Sequence, residues 1–195
     1  MNFDHWRHYA RGWVFHFLGR PDVAYPAFAE ALRLDPRDVQ AARHLAAIAV
    51  GRAHWDSAAV WFEKALELAP EDACTWFNLG FARERNGQAA DAIEAFRAAV
   101  ERQPTLDRAW YGLGLAQASL GRHDEAAAAL REAVRLQPLN GEAYYQLGMA
   151  LQQAGRPDEV GAVAERLAGF DPNWARRLID DAQREDLRAV LPPPF

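Results

Sequence analysis

The chain has 195 residues, a formal net charge of −5 and a hydrophobic fraction of 50%, which suits one folded domain or a short repeat array. The acidic balance argues against a broad basic face for nucleic acid. Cys74 is the only cysteine, which excludes an internal disulfide and a cysteine-rich zinc site. No stretch approaches the ~18 consecutive apolar residues of a membrane-spanning helix, so we expect a cytoplasmic protein. Arginine far outnumbers lysine, of which Lys64 is the only one, and this bias favours a bacterial source.

Prolines recur every 34 residues along the chain and divide it into windows of equal length. They stand at Pro36, Pro70, Pro104, Pro138 and Pro172. A fixed period of this size is typical of repeat architectures, in which each window is one supersecondary unit. Because proline ends helices, the spacing predicts that a helix stops at the end of each window.

The third and fourth windows show which residues each repeat needs. The first helix has Trp, Leu and Gly at i, i+3 and i+4 on one face, and the second has a small, large, small order of residues. In the third window these are Trp76, Leu79, Gly80, Ala92, Phe96 and Ala99, and in the fourth Trp110, Leu113, Gly114, Ala126, Leu130 and Ala133. This pattern resembles the tetratricopeptide repeat.

The resemblance implies an all-α solenoid of five stacked helix-turn-helix repeats, forming a right-handed superhelix. We expect repeats over 5–38, 39–72, 73–106, 107–140 and 141–172, a C-terminal capping helix over 173–190 and a Pro-rich tail over 191–195. Asn173 is predicted to cap the C-terminal helix. Gly87 and Gly121 should end the first helices in a left-handed conformation, and Pro26 should kink or shorten the second helix of the first repeat.

In this family the first helices line a concave groove, so the resemblance implies that a partner binds along their outward stripe. The fifth position of each window is mostly aromatic, and the ninth is apolar in every window, as expected for a surface that binds an apolar segment. The predicted partner-binding residues are Tyr9, Trp13, Arg43, Phe77, Asn78, Phe81, Arg108, Tyr111, Leu115, Tyr145 and Met149. Arg43, Asn78 and Arg108 would orient the backbone or an acidic group of the segment. The predicted function is an adaptor or scaffold that binds a peptide or helix of another protein.

Several alternatives remain open at this stage. The outward side chains could simply pack along the superhelix, or a second copy could associate through the 191–195 tail or an exposed edge. Some tetratricopeptide proteins clamp a C-terminal carboxylate between basic and Asn side chains. Arg43, Asn78 and Arg108 match that arrangement in part, but Ala47 and Gly112 stand where two more donors are needed.

The sequence offers little for catalysis or cofactor binding. His5 and His8 lie one helical turn apart near Asp4 and could share a metal ion, although such histidines are usually solvated. His16 and His44 have no serine, cysteine or paired carboxylate in position to form a nucleophile arrangement. The glycines are needed for helix packing and caps rather than for a phosphate-binding loop. We therefore predict neither an enzyme nor a cofactor.

Overall fold

A computed structural model describes residues 3–191, which form helices joined by short turns and contain no strand. The predicted all-α class is confirmed. The chain divides into two compact units, of which the first ends at Arg102 and the second begins at Gln103. The first unit contains α1 (Phe3–Phe17), α2 (Pro21–Leu34), α3 (Val39–Gly51), α4 (Trp55–Leu68), α5 (Ala73–Arg85) and α6 (Ala89–Arg102). The second contains α7 (Asp107–Ser119), α8 (His123–Leu136), α9 (Gly141–Gln153), α10 (Pro157–Ala168), α11 (Pro172–Asp181) and a 3₁₀ helix (Glu185–Val190).

The two helices of each repeat pack against each other, and the second helix also contacts the next repeat. In the first unit α2 contacts α3 and α4 contacts α5, while in the second unit α8 contacts α9. Most buried apolar positions are alanine, and larger side chains such as Phe28, Phe62, Phe96 and Leu130 pack between them. Small residues let neighbouring helices approach closely, so each repeat buries its apolar face only by stacking on the next.

Polar side chains fix where three of the first helices begin. Asp38, Asp72 and Asn140 precede α3, α5 and α9, and each side chain accepts a hydrogen bond from a backbone N–H in the first helical turn, at 2.9, 3.2 and 3.0 Å. Leu106 holds the same place before α7 and makes no such bond. These caps satisfy donors that a helix N-terminus otherwise leaves unpaired.

The turn inside each helix pair needs a left-handed residue. Gly87 and Gly121 have φ angles of 78° and 73°, which confirms their predicted role as left-handed caps. The second repeat has Ala53 at the same place, with a φ of 54°. An L-residue with a Cβ is strained in this region, so the second repeat has the least favourable turn.

Glycine also lets the two helices of a pair approach closely. A Cβ added at Gly80 would lie 2.7 Å from the Phe96 ring, and one at Gly114 would lie 2.6 Å from Leu130. The large residue of the small, large, small face therefore sits directly on the glycine of the first helix, as the sequence pattern predicts.

In the fifth repeat, the space over the glycine of the first helix is filled by a side chain from outside the helix pair. Ala164 stands where the other repeats have a large residue, and Leu178 of α11 fills the space, since a Cβ added at Gly148 would lie 2.5 Å from it. Leu178 and Ile179 are completely buried. The helix α11 is thus an integral part of the second unit's core.

Two expectations about local structure are wrong. The region 173–190 is not one helix: α11 ends at Asp181, Gln183 adopts a φ of 55°, and the Arg184 N–H bonds the Ile179 carbonyl at 2.9 Å, closing the helix before the 3₁₀ segment begins. Asp171, rather than Asn173, caps α11, because Pro172 fits the first helical position and leaves the Asp171 carboxylate to accept from the Trp174 N–H.

Pro26 does not shorten its helix. It lies inside α2, which has 14 residues, the same length as α4, and the predicted kink stays a prediction. Of the predicted tail, only Leu191 belongs to the described residues.

The strained turn of the second repeat can be relieved by substitution. Ala53→Gly should raise the free energy of unfolding by about 0.5 kcal/mol, because the ~1–2 kcal/mol strain of a left-handed L-residue outweighs the extra freedom of glycine in the unfolded chain. Gly87→Ala makes the reverse change in the third repeat, where no atom lies within 4 Å of the new Cβ, and should be destabilising. Denaturant unfolding measures the change in the free energy of unfolding for both variants. If the two changes had the same sign, the strain assigned to the left-handed Ala53 would be contradicted.

The role of α11 in the second core gives a second prediction. Leu178→Ala should lower the free energy of unfolding of the second unit by about 2–5 kcal/mol, because it leaves a cavity over Gly148. Leu139→Ala is the matched control, since Leu139 is 75% exposed and its loss should change stability by no more than about 0.5 kcal/mol. Thermal unfolding followed by circular dichroism compares the two, and similar midpoints would show that α11 merely lies on the surface.

Candidate functional site

A large cavity of the first unit opens between α3 and α5. It has a volume of about 740 Å³. Its lining consists of Arg43, His44, Ala47, Val50, Phe62, Asp72, Cys74, Thr75, Phe77, Asn78 and Phe81. Four of the predicted partner-binding residues, Arg43, Phe77, Asn78 and Phe81, therefore line one cavity.

The α5 side of the cavity is aromatic and firmly held. Phe81 is 38% exposed, and its ring meets the Trp55 ring edge-on at a centroid distance of 5.9 Å. The guanidinium of Arg85 lies 5.3 Å from the Trp55 ring and 5.9 Å from the Phe81 ring. Deeper in, the Phe77 ring contacts Phe96 at 5.9 Å. A cation and a neighbouring ring thus hold Phe81 in place while part of its face stays accessible.

The charged groups beside the cavity are already paired with each other. Arg43 Nη2 forms an ion pair with Asp72, and Asp72 also accepts from the Thr75 hydroxyl while capping α5. Asp72 of the same chain therefore already occupies the Arg43 guanidinium that was predicted to orient an acidic group of a partner. Asn78, in contrast, is exposed on the lining.

Position 9 of the second repeat is the small residue Ala47, which is exposed on the α3 side of the cavity. A carboxylate clamp needs a donor here, and an alanine has none to offer. Combined with the Arg43–Asp72 pair, this leaves the first-unit part of the clamp without two of its donors. The lining is therefore largely apolar, and its Arg43 and Asp72 side chains are paired with each other.

His44 forms the inner edge of the cavity and is packed among rings. Its ring stacks on Phe28 at a centroid distance of 4.5 Å with an interplanar angle of 11°, and it lies 5.5 Å from His16. Burial lowers the pKa of His44, the nearby His16 lowers it further, and Asp38 opposes the change. The lowered pKa favours a neutral imidazole at neutral pH.

The predicted residues of α1 lie beside this region in smaller cavities. Tyr9 packs edge-on against Phe28 at 5.6 Å and against His44 at 6.0 Å, and burial, followed by Asp38, raises its pKa. Trp13 is 52% exposed and stacks on Phe17. Tyr9 is therefore largely a packing residue of the first unit, whereas Trp13 remains accessible.

The predicted residues of the second unit are partly engaged by its own helices. The Tyr145 hydroxyl donates to Asp181 of α11 at 2.8 Å, and its ring lies 5.2 Å from Trp174. Burial raises the pKa of Tyr111, which is also hydrogen-bonded to Glu142. Tyr111 and Met149 pack against the hydrophobic core. Leu115 is half-buried, and Arg108 is exposed.

The cavity lining also includes residues that were not among the predicted partner-binding residues. Val50 and Cys74 stand at the twelfth and second positions of their windows, on the same outward stripe as the fifth and ninth positions, so the helical periodicity could have found them. Phe62 occupies the large position of a second helix, where nothing in the sequence indicates that it also borders a cavity.

The histidines considered for metal binding have other contacts. His5 Nε2 lies 2.8 Å from Asp38 Oδ2, and His8 contacts Arg7. Within residues 3–191, no three His, Cys, Asp or Glu side chains converge to hold a metal ion. No helix in the same range combines the length and apolar character needed to cross a membrane.

Sequence profiles described as Tetratricopeptide repeat match residues 9–73, 77–138 and 117–179. The chain belongs to the tetratricopeptide repeat family. Solved structures share the fold of this repeat protein: a MamA structure has a TM-score of 0.81 at 23% identity, over 99% of this chain and 100% of that chain. MamA from Desulfovibrio magneticus RS-1 has a TM-score of 0.76 at 20% identity, over 95% and 99% of the two chains.

A third similar structure is that of YrrB, described as a TPR protein with an unusual peptide-binding site. Its TM-score is 0.79 at 20% identity, over 91% of this chain and 90% of that chain. No curated protein sequence matches the chain. The TM-scores of these structures show that this chain shares the tetratricopeptide repeat fold.

The buried His44 makes the stability of the first unit depend on pH. Because the folded pKa lies below the ordinary value of 6.5, the unfolded state binds more protons below that pH, and stability falls as the pH drops through 6.5 and beyond. His44→Phe keeps a ring on Phe28 but cannot titrate, so it should lose less stability between neutral and mildly acidic pH. Urea unfolding across this range tests the difference.

Proposed function

We propose that this tetratricopeptide repeat protein is a non-catalytic adaptor that binds an apolar segment of another protein in the cavity between α3 and α5. The observation that carries the proposal is the combination of a half-exposed, fixed Phe81 with a cavity of about 740 Å³. This volume lies within the range typical of ligand sites, and it can receive one or two large side chains.

The chemistry of the lining supports an apolar segment in preference to a charged one. Phe77, Phe81, Val50 and Ala47 offer apolar surface, and the Arg43–Asp72 pair leaves the polar end without net charge. Covering that ion pair with a bound segment costs less than burying either charged group alone. The exposed Asn78 amide can both donate to and accept from the backbone of a bound segment.

The expected affinity is modest. Burying each large apolar anchor contributes about 1.5–3 kcal/mol, and these contributions must offset an association cost on the order of 4–15 kcal/mol. One or two anchors in this cavity alone therefore bind more weakly than micromolar, and micromolar affinity requires further contacts from a longer segment. Among the proteins of similar fold, YrrB is described as having an unusual peptide-binding site, which makes a peptide-like ligand reasonable for this chain as well.

The proposal does not depend on the other predicted partner-binding residues. Arg108, Leu115 and Met149 stay predictions, as do Tyr111 and Tyr145, whose hydroxyls already have partners in the second unit. A cytoplasmic location and a bacterial source also stay predictions, based on composition alone. A C-terminal carboxylate clamp is the less favoured mode, because Ala47 supplies no donor and Arg43 is paired.

Binding in the cavity can be tested with peptides selected from a displayed library of random 12-residue sequences. Wild-type protein serves for selection, and each selected peptide is then titrated by fluorescence anisotropy. Phe81→Glu places a charge on the aromatic wall, and Ala47→Trp fills the cavity from the exposed α3 side, so both should weaken binding by at least about tenfold. Val60→Glu, at a residue of α4 that is 58% exposed, should leave the affinity unchanged.

One outcome would contradict binding of peptides in the cavity. If peptides bind wild type, Phe81→Glu and Ala47→Trp equally while circular dichroism shows all three folded, the binding surface lies elsewhere. If the affinity for a peptide depends on its free C-terminus and is lost on amidation, the clamp replaces the apolar mode. A protein retained from lysate by wild type and lost with both cavity variants would then be the candidate partner.

A further inference from the structure

The helix α1 carries a continuous apolar stripe on its solvent side. The exposed fractions of its large side chains are 79% for Phe3, 54% for Trp6, 52% for Trp13 and 78% for Phe17, and Ala10 between them is also exposed. Monomeric proteins rarely leave so many aromatic rings exposed on one helix face, and such a patch usually marks an interaction surface.

The spacing of this stripe is that of a helix-pairing seam. The five residues follow one another at intervals of three, four, three and four, the a and d positions of a heptad pattern. The contact of α1 with its own repeat lies on another face, where Gly12 sits against Phe28. The seam is therefore available to a second helix without disturbing the first repeat.

The order of residues along the seam is self-complementary. It reads Phe, Trp, Ala, Trp, Phe in either direction, with Ala10 at its centre. If two copies of α1 pair antiparallel about Ala10, Phe3 of one copy meets Phe17 of the other, and Trp6 meets Trp13. The small Ala10 allows the two helix axes to approach at the two-fold axis, which is the geometry of an isologous dimer.

The positions of the charged residues Asp4 and Arg7 of α1 are compatible with the antiparallel helix pair. No charged residue stands on the seam itself. Arg7, which forms an ion pair with Asp4 at 3.2 Å on the flank, falls at the level of Trp13 of the other copy in the antiparallel pair. A guanidinium beside an indole ring is a favourable contact, so the flank adds to the pairing.

The area of the stripe is enough for a modest dimer. Taking about 200 Å² for a fully exposed aromatic side chain, the exposed fractions give roughly 500 Å² per copy and about 1,000 Å² for the pair, the lower limit of a specific interface.

We propose that the chain forms a two-fold dimer by antiparallel pairing of α1 with α1 of a second copy along the Phe3, Trp6, Ala10, Trp13 and Phe17 stripe. This surface is separate from the cavity between α3 and α5. The dimer would present two peptide-binding cavities, so a partner with two segments could bind more tightly than one segment alone.

Sedimentation velocity of the full chain from low to high micromolar concentration tests the dimer. Wild type should pass from monomer to dimer, and Trp13→Glu should weaken the association by at least about tenfold, because it places a charge in the seam. Leu139→Glu changes a leucine outside the stripe that is 75% exposed, and this variant should dimerise as wild type does. Phe81→Glu, in the cavity, should also dimerise normally, which separates this test from that of peptide binding.

The antiparallel orientation has its own test. Phe3→Lys and Phe17→Glu should each weaken self-association, and mixing the two variants should restore a dimer. In the mixed dimer the new lysine of one chain meets the new glutamate of the other, while the second Phe–Phe contact stays intact. A Cys74→Ser chain carrying Ala10→Cys should form a disulfide-linked dimer under mild oxidation.

Three results would overturn the proposal. One is a wild-type chain that stays monomeric at every concentration; another is a dimer that Trp13→Glu leaves unchanged. The third is a monomeric wild type whose Trp13 is needed to bind vesicles of anionic phospholipid, which would make the stripe a lipid-binding surface. Circular dichroism confirms that each variant remains folded before its result is interpreted.

Discussion

The close contact between a glycine of the first helix and a large side chain above it determines how each repeat is built. Gly80 has room for Phe96 only because it lacks a Cβ, and the alanines on either side of Phe96 let the two helices meet at this short distance. Protein interiors tolerate little extra volume, so the contact fixes which faces of both helices are buried. Where the large residue is missing, at Ala164, Leu178 takes its place and draws α11 into the second unit.

This packing buries the inner faces of both helices of a pair. The outward stripes of the first helices therefore remain available for binding. Most polar groups there are already used: Asp38 and Asp72 cap helices, and Asp72 also pairs with Arg43. The surface left over is apolar and lies in two places, the Phe81 side of the cavity and the aromatic face of α1. Apolar contacts accept ligands of varied sequence and set a modest affinity, which suits the adaptor role that we propose.

Periodicity predicted the parts of the site that depend on helix geometry alone. The outward positions found Phe77 and Phe81, and the same rule covers Val50 and Cys74, whereas Asn78 came from the partial match to a carboxylate clamp. It could not find that Arg43 is paired with Asp72 or that Tyr145 bonds Asp181, since each pair joins residues about one repeat apart. The break at Gln183 was also missed, because both halves of 173–190 have helical composition and the turn depends on where Arg184 bonds across to the Pro157 carbonyl.

The sequence by itself determined the repeat length, the pairing of helices, the glycine contacts and the family, because each of these follows from spacing along one helix or between neighbouring helices. Only the tertiary structure decided which outward residues are accessible and which are held by the next repeat. Accessibility depends on contacts between residues far apart in the chain, and a repeat pattern assigns the same role to every copy. Phe81 is half-exposed while Tyr145 is bonded to α11, although both lie on the same predicted stripe.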